Sequence, residues 1–199
     1  MSGFDLGFRL GFDALVNRGR EFVGLVDRRG FRFLLGKTVA LLQGGEFEAA
    51  DASFHILLQK LLKKHKPFFK LLAYRVIMDK HGPDGHDIVE GSVKLEINGE
   101  VVHTVAEGDG PVHALDRAFR AALEKFYPLI AEVKLVDYKV RILDSTLGTG
   151  AKTRVIIEST DGKDTWGTVG VNDNIIEASW EALVDSVEYK LFKDEQHKK

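Results

Sequence analysis

The sequence predicts an α+β protein made of two β-β-β-α units related by a pseudo-twofold axis, preceded by a small helical subdomain. Three observations predict it. Matching residues recur at a single spacing of 64. Each copy holds a turn dipeptide between alternating stretches. Each copy then closes on a stretch of helical period. At the helix entry, "HTVAEGDGPVHALDRAF" (103–119) laid on "GTVGVNDNIIEASWEAL" (167–183) pairs Thr104 with Thr168, Val105 with Val169, Asp109 with Asp173, Val112 with Ile176, Ala114 with Ala178 and Ala118 with Ala182. At the first strand, "FKLLAYRVIM" (69–78) on "VKLVDYKVRI" (133–142) pairs Lys70 with Lys134, Leu71 with Leu135, Tyr74 with Tyr138, Arg75 with Lys139 and Val76 with Val140. One offset serving both ends of the unit makes the duplication specific.

Residues 1–44 read as an irregular N-terminal segment. Phe4, Phe8 and Phe12 stand four apart, as on one helical face, but Gly3, Gly7 and Gly11 precede them. Each such glycine costs about 1 kcal/mol inside a helix. Residues 45–67 read as a helical subdomain: Ala50, Phe54, Leu57, Leu58, Leu61 and Leu62 form a stripe, cationic Lys60, Lys63, Lys64 and His65 suit the C-terminal end, and Pro67 stops it. Residues 68–199 hold the repeats, 68–128 and 133–193. Their first strands are rich in β-branched and aromatic residues. The first hairpin, "SVKLEINGEVVHTV", turns at Asn98-Gly99, a strong type I′ signal. The second, "TRVIIESTDGKDTWGTV", is expected to turn at Asp161-Gly162. The helices are expected to bury Val112, Leu115, Phe119, Ala122, Leu123 and Phe126 in one unit, and Ile176, Ser179 or Trp180, Leu183, Val187 and Leu191 in the other. Three strands and one helix leave a sheet face in need of cover, which two units can share.

Bulk properties exclude several function classes. A net charge of −2 and a pI near 6.4 give no electrostatic footprint for nucleic acid or an anionic membrane. Without cysteine there is no disulfide, thiolate metal site or Cys nucleophile. No apolar run approaches the roughly 20 residues of a bilayer span, and no signal peptide is evident, so a cytoplasmic location is expected. "LLGKT" (34–38) fails as a P-loop because Phe31 stands where that motif needs glycine. "HGPDGHD" offers His81, Asp84, His86 and Asp87, but its Gly and Pro mark a solvated turn in preference to a metal site. His55, His103 and His113 stand singly, and no nucleophile elbow, zinc-protease helix or dinucleotide fingerprint occurs. No catalytic residue, metal or cofactor is therefore assigned to this chain.

The repeated turns offer binding instead. Gly108-Asp109-Gly110-Pro111 and Val171-Asn172-Asp173-Asn174 both lead into helix N-termini, where free N–H groups attract a carboxylate. The plain alternative makes Asp109 and Asp173 simple N-caps, each worth about 1 kcal/mol. "DSTLGTGAKT" (144–153) allows close backbone approach, and Asp137 interrupts an apolar strand where Ala73 stands in the first unit. A small zwitterion needs donors for its carboxylate, an acid for its ammonium and apolar walls. All three are present.

The stretch 133–191, from "VKLVDYKVRILDSTLGTGAKT" to "EASWEALVDSVEYKL", resembles the C-terminal regulatory domain of the 2-isopropylmalate synthase and citramalate synthase family, the citramalate synthases most of all. "GEFEAADASFHILLQKLLKKHKPFFKLLAYRVIMDK" (45–80) and "EGDGPVHALDRAFRAALEKFYP" (107–128) share the resemblance, and "VNRGREFVGLVDRRGF" (16–31) does so weakly. It implies an enzyme that condenses acetyl-CoA with pyruvate on the route to isoleucine, with a dimeric regulatory domain that binds the end-product amino acid. Isoleucine is the effector in citramalate synthases and leucine in isopropylmalate synthases. The family's barrel uses a divalent metal. No Arg-Asp-Gly or His-x-His of that barrel occurs here, and about 250 residues for a barrel exceed the chain. The expectation is thus a homodimeric sensing module, inactive alone, acting with a barrel in cis or in trans; a purely structural module is the rival. Within it, Asp173, Asn174 and Ile175 are expected at the effector carboxylate, Asp137 at its ammonium, Gly148, Thr149, Gly150 and Ala151 as backbone contacts, and Tyr138 as a wall. Tyr74, its repeat partner, argues equally for a core role. A second, pseudo-symmetric site is expected at Gly108, Asp109, Gly110 and Pro111, with capping as its alternative.

Overall fold

The two first strands carry the same irregularity 64 residues apart, and the sheets grow from it. In the computed structural model, which describes residues 50–61, 64–81, 85, 87–143 and 151–197, the register of each first strand slips by one residue, between Leu71 and Ala73 and again between Leu135 and Asp137. Each slip is a bulge that leaves Leu72 or Val136 unpaired. Element order is α1 (Asp51–Leu61), β1 (Lys70–Asp79), β2 (Ile88–Ile97), β3 (Glu100–Glu107), α2 (Pro111–Glu124), a 3₁₀ turn (Pro128–Glu132), β4 (Lys134–Ile142), β5 (Thr153–Thr160), β6 (Thr165–Asn172) and α3 (Ile175–His197). The strands form two antiparallel three-stranded sheets, β1-β2-β3 and β4-β5-β6. All described residues fall in one compact unit.

Each helix lies on one face of its own sheet, held by the same bond. Thr104 Oγ1 donates to Ala118 O at 2.7 Å, and Thr168 Oγ1 donates to Ala182 O at 2.9 Å. Close approach needs a glycine on the rung below the helix. The rungs Gly91↔Ala106 and Val155↔Gly170 are equivalent, and each carries one glycine, on opposite strands. A Cβ on Gly91 would lie 2.6 Å from the Ala114 carbonyl carbon, and one on Gly170 would lie 1.8 Å from Ala178 O. Sheet–helix contact is thus backbone-limited in both units.

The core joins the units. Val93, Leu95 and Ile97 of β2 pack with Leu115, Phe119 and Leu123 of α2, and Trp180 of α3 enters the same cluster. Its ring lies 4.7 Å from Phe119 and 5.4 Å from Tyr74. Burying these apolar side chains, at about 25 cal/mol per Å², is the main source of stability. Leu115, Phe119, Ala122 and Leu123 are buried as expected, together with Ala114 and Ala118, while Val112 and Phe126 are only half-buried. In α3 both Ser179 and Trp180 are buried, and Ile176 is half-buried.

Two expectations are refined. Among the described side chains of α1 the buried ones are Ala52, Ser53, Ile56 and Leu57, while Phe54 and Leu58 are half-buried, and the side chains of Leu61 and Leu62 lie outside the description. The stripe is rotated because Ser53 and Asp51 serve the sheet edge: Asp51 Oδ1 accepts from Gly167 N (2.9 Å) and Ser53 Oγ accepts from Val169 N (3.0 Å). α3 is covered on this side too, so Asp185 and Glu188 are buried beside Ser53, Lys60 and His65. The second hairpin turns at Gly162-Lys163, one residue beyond Asp161-Gly162. Asp161 instead sits at the head of the turn, its Oδ1 accepting from Lys163 N and Asp164 N. Gly162 has φ 82°, the pattern of a II′ turn, whereas Asn98 (52°) and Gly99 (84°) make the I′ turn of the first hairpin.

Candidate functional site

The entry to α3 is built by asparagine. Asn172 Oδ1 accepts from Asn174 N (3.0 Å), Asn174 Oδ1 accepts from Ile176 N (2.9 Å), and Asn174 O accepts the first helical bond from Ala178 N (2.9 Å). Asn174 is therefore the N-cap, and Asp173, one residue earlier, is exposed. The capping alternative for Asp173 is corrected accordingly: the residue whose carbonyl accepts the first bond does the capping. Among the described residues the N–H groups of Ile175 and Glu177 have no partner, as first-turn amides ordinarily do not.

Tyr138 lies against this turn. Ser179 Oγ donates to Ile175 O (2.6 Å), so the 2.8 Å contact between Tyr138 and Ser179 is one in which the phenol donates. Beyond it on the same side of β4 stand Val140 and Ile142, 40% and 63% exposed, and Ile175 is 42% exposed at the helix end. The result is an open apolar floor beside a helix N-terminus. Ala151, at the start of the returning chain, is buried. Gly148, Thr149 and Gly150 lie outside the described residues.

Asp137 does not share this floor. It pairs with Glu158, whereas Tyr138 pairs with Ile157, and neighbours on a strand point to opposite faces. Its Oδ2 lies 2.7 Å from Lys139 Nζ, whose hydrogen bond holds the carboxyl below its usual range. Asp137 lines a separate groove of about 280 Å³ with Asp51, Lys139, Ile156, Glu158 and Trp166. The grouping of Asp137 with Tyr138 and the Asp173–Ile175 turn is thus not formed within one chain. The strand period of two decides it.

The first unit is arranged differently. Gly108 is pressed on α2, where a Cβ would come within 2.4 Å of Ala114 N. Gly110, not Asp109, is the N-cap, without a side-chain bond, and Pro111 opens the helix. Asp109 is exposed beside His113. The floor matching that of Tyr138 is filled: Trp180 stacks on Tyr74, and the Tyr74 hydroxyl donates to Glu177. Burial, reinforced by Glu177, pushes the Tyr74 phenol up to about 12. The pseudo-symmetric site at Gly108–Pro111 therefore has a turn but no open floor.

Reading the sequence missed Val140, Ile142 and Ser179 as parts of the floor. Their signal was present in the alternation of Val140 and Ile142 with Lys139 and Arg141. Of the His81–Asp87 loop, Asp87 pairs with Lys80, and Asp84 and His86 lie outside the described residues. Among the described residues no group of three or more acidic or histidine side chains is placed to hold a metal ion, and no helix is long and apolar enough to cross a membrane.

Comparison with known proteins follows the same lines. Residues 48–191 match the LeuA allosteric (dimerisation) domain. The (R)-citramalate synthase of Geobacter sulfurreducens is 51% identical over 77% of this chain and 29% of its own length. That of Aquifex aeolicus is 48% identical over 92% of this chain and 35% of its own. The 2-isopropylmalate synthase of Aquifex aeolicus is 34% identical over 96% of this chain and 31% of its own. The chain thus spans about a third of the length of these curated relatives. With the duplicated sheets, the paired helix entries and a match across most of the chain, the protein belongs to the family of LeuA allosteric (dimerisation) domains.

Proposed function

We propose that this domain senses a branched-chain amino acid, isoleucine, and dimerises, as the regulatory part of an (R)-citramalate synthase-like enzyme that condenses acetyl-CoA with pyruvate. The observation that carries the reading is the difference between the two tyrosine floors. Trp180 fills the one at Tyr74, while the one at Tyr138 stays open between Val140, Ile142 and the first turn of α3. An aliphatic side chain suits the floor, and the Ile175 and Glu177 amides suit a carboxylate. The helix-side rims of β1 and β4, with Leu71, Met78, Leu135, Val140 and Ile142 exposed, form the apolar surface for a second copy, so the effector sits near the dimer contact. The catalytic barrel acts in cis or in trans, with its own metal and acetyl-CoA.

Leucine is the second reading, supported by the 34% identity to a 2-isopropylmalate synthase. One methyl position is worth only about 1–3 kcal/mol in an apolar pocket. Calorimetric titration of the chain with isoleucine, leucine and valine separates them. Isoleucine binding that is lost in Ile142→Lys and kept in Asp137→Ala supports the Tyr138 floor. Absence of heat with all three, well above millimolar, leaves a structural dimerisation module.

A further inference from the structure

Val105 and Val169 occupy the same position in the two units, yet Val105 is 53% exposed and Val169 only 5%. The cover over Val169 is α1. Ala50 packs on Val169 and Ile156, Asp51 and Ser53 take the outward N–H groups of Gly167 and Val169, and Ser53 and Lys60 reach Asp185 and Glu188 on α3. Shifted by 64, the same seat on the first unit comprises Val105, the N–H groups of His103 and Val105, and Ala121 and Glu124 on α2. No described residue covers it. Three of the four sheet edges are otherwise protected: bulges at Leu72 and Val136 break β1 and β4, and α1 seals β6. β3 alone runs for 8 residues with neither a bulge nor a cover, with Val101 and Val105 exposed. Natural edges seldom stay so unguarded.

We propose that this seat is an interface between two copies of the chain, in which β3 pairs antiparallel with its mate about a twofold axis through His103. The sequence Val101-Val102-His103-Thr104-Val105 supports it, because V-x-H-x-V reads alike in both directions. Pairing in that register sets Val101 of each copy opposite Val105 of the other, and cross-strand pairs of this type stabilise sheets. The helices agree. Arg117 donates to Glu107 O at 2.8 Å, so the exposed stripe Arg117, Ala121, Glu124 runs along the β3 side of α2. Thr104 bonding Ala118 O places the middle of that stripe over the middle of the strand. The twofold then brings Ala121 to Ala121, small enough for helices to meet at about 8–10 Å. Arg117 of each copy faces Glu124 of the other. The two sheets join into one of six strands. Because this seat is distinct from the Tyr138 floor, the chain carries two self-complementary surfaces, which together build a closed tetramer or an open filament.

The chain has no cysteine, so a single introduced one reports the axis cleanly. His103 faces itself in a hydrogen-bonded pair with Cα atoms about 5.5 Å apart, within disulfide range. Mild oxidation of His103→Cys should give a covalent dimer, and Glu107→Cys, roughly 25 Å from its mate along the strands, should not. Adding Val105→Lys and Ala121→Arg to His103→Cys should slow cross-linking at least tenfold while the far-UV spectrum stays unchanged, and adding Ile142→Lys should leave the rate unaltered. Cross-linking of His103→Cys no faster than that of Glu107→Cys, or indifferent to Ala121→Arg, overturns the proposal. If Ile142→Lys abolishes isoleucine binding and leaves this cross-link intact, the two surfaces are separate; if no amino acid binds at all, the cross-link still stands or falls by itself.

Discussion

In the first unit a threonine on the last strand reaches a helix carbonyl at 2.7 Å, and in the second the matching threonine does so at 2.9 Å. The bulge and the glycine rung repeat with equal fidelity. Elsewhere, even within the core, little is shared. Ile97 and Phe126, both apolar, occupy the places that Asp161 and Lys190 hold in the second unit, where Nζ and Oδ2 lie 2.8 Å apart. Trp180 reaches across to the first unit, while its counterpart Asp116 bonds Arg120 of its own helix. Duplication has kept the backbone-limited contacts of helix on sheet, where packing tolerates no change, and has let other positions diverge, among them a sealed edge and an open one.

The largest effect is expected at the shared rung. Gly170→Ala drives a Cβ into the Ala178 carbonyl, which only lifting α3 relieves, so a loss above about 4 kcal/mol in urea unfolding is expected. Gly110→Ala, with nothing within 4 Å, should cost well under 1 kcal/mol. Equal effects would mean that the helix does not press on this rung.

The ion pair comes next. Lys190→Met leaves the buried carboxylate of Asp161 facing Asp194 and should cost about 3–5 kcal/mol, whereas Phe126→Met at the matched position should cost less than about 1.5 kcal/mol. Burial alone would raise Asp161, but Lys190 and the amides of Asp164 and Lys163 outweigh it and hold the group far below its ordinary 3.8. A depressed carboxyl contributes fully above its unfolded value and loses that contribution as acidity rises. The gap between wild type and Lys190→Met should therefore narrow as pH falls below about 3.8. A gap unchanged at pH 2.5 would remove the pair from the account.

The smallest effects concern the caps. Asn174→Ala should cost about 1 kcal/mol and Asp173→Ala less than half of that, while Gly110→Asn, which imports the second unit's cap into the first, should gain a few tenths. Thermal melts resolve these. Should Asp173→Ala prove the costlier, the cap lies one residue earlier than Asn174.

Much of this was legible beforehand because it is local or periodic. The repeat predicted both sheets, and Asn98-Gly99 predicted its turn. The cap was misplaced because Asp109 and Asp173 align in the repeat, while the capping is done by Gly110 and Asn174 just beyond. The candidate site was half legible. Tyr138 reaches the first turn of α3 through Ser179, but Asp137 was grouped with its neighbour across a strand, where adjacent side chains cannot share a face. What the sequence could not show was tertiary: that Trp180 crosses to Tyr74, and that a helix preceding both repeats seals the edge of the second.

That seal has a consequence for how the chain is made. Asp51 and Ser53 find their partners 116 residues downstream, so α1 is made before both repeats and waits while the whole first repeat and most of the second are synthesised. Closing so distant a loop is slow compared with zipping a hairpin. The first repeat's hairpin and α2 can be assembled while translation continues, whereas α1 cannot be seated until β6 has been made.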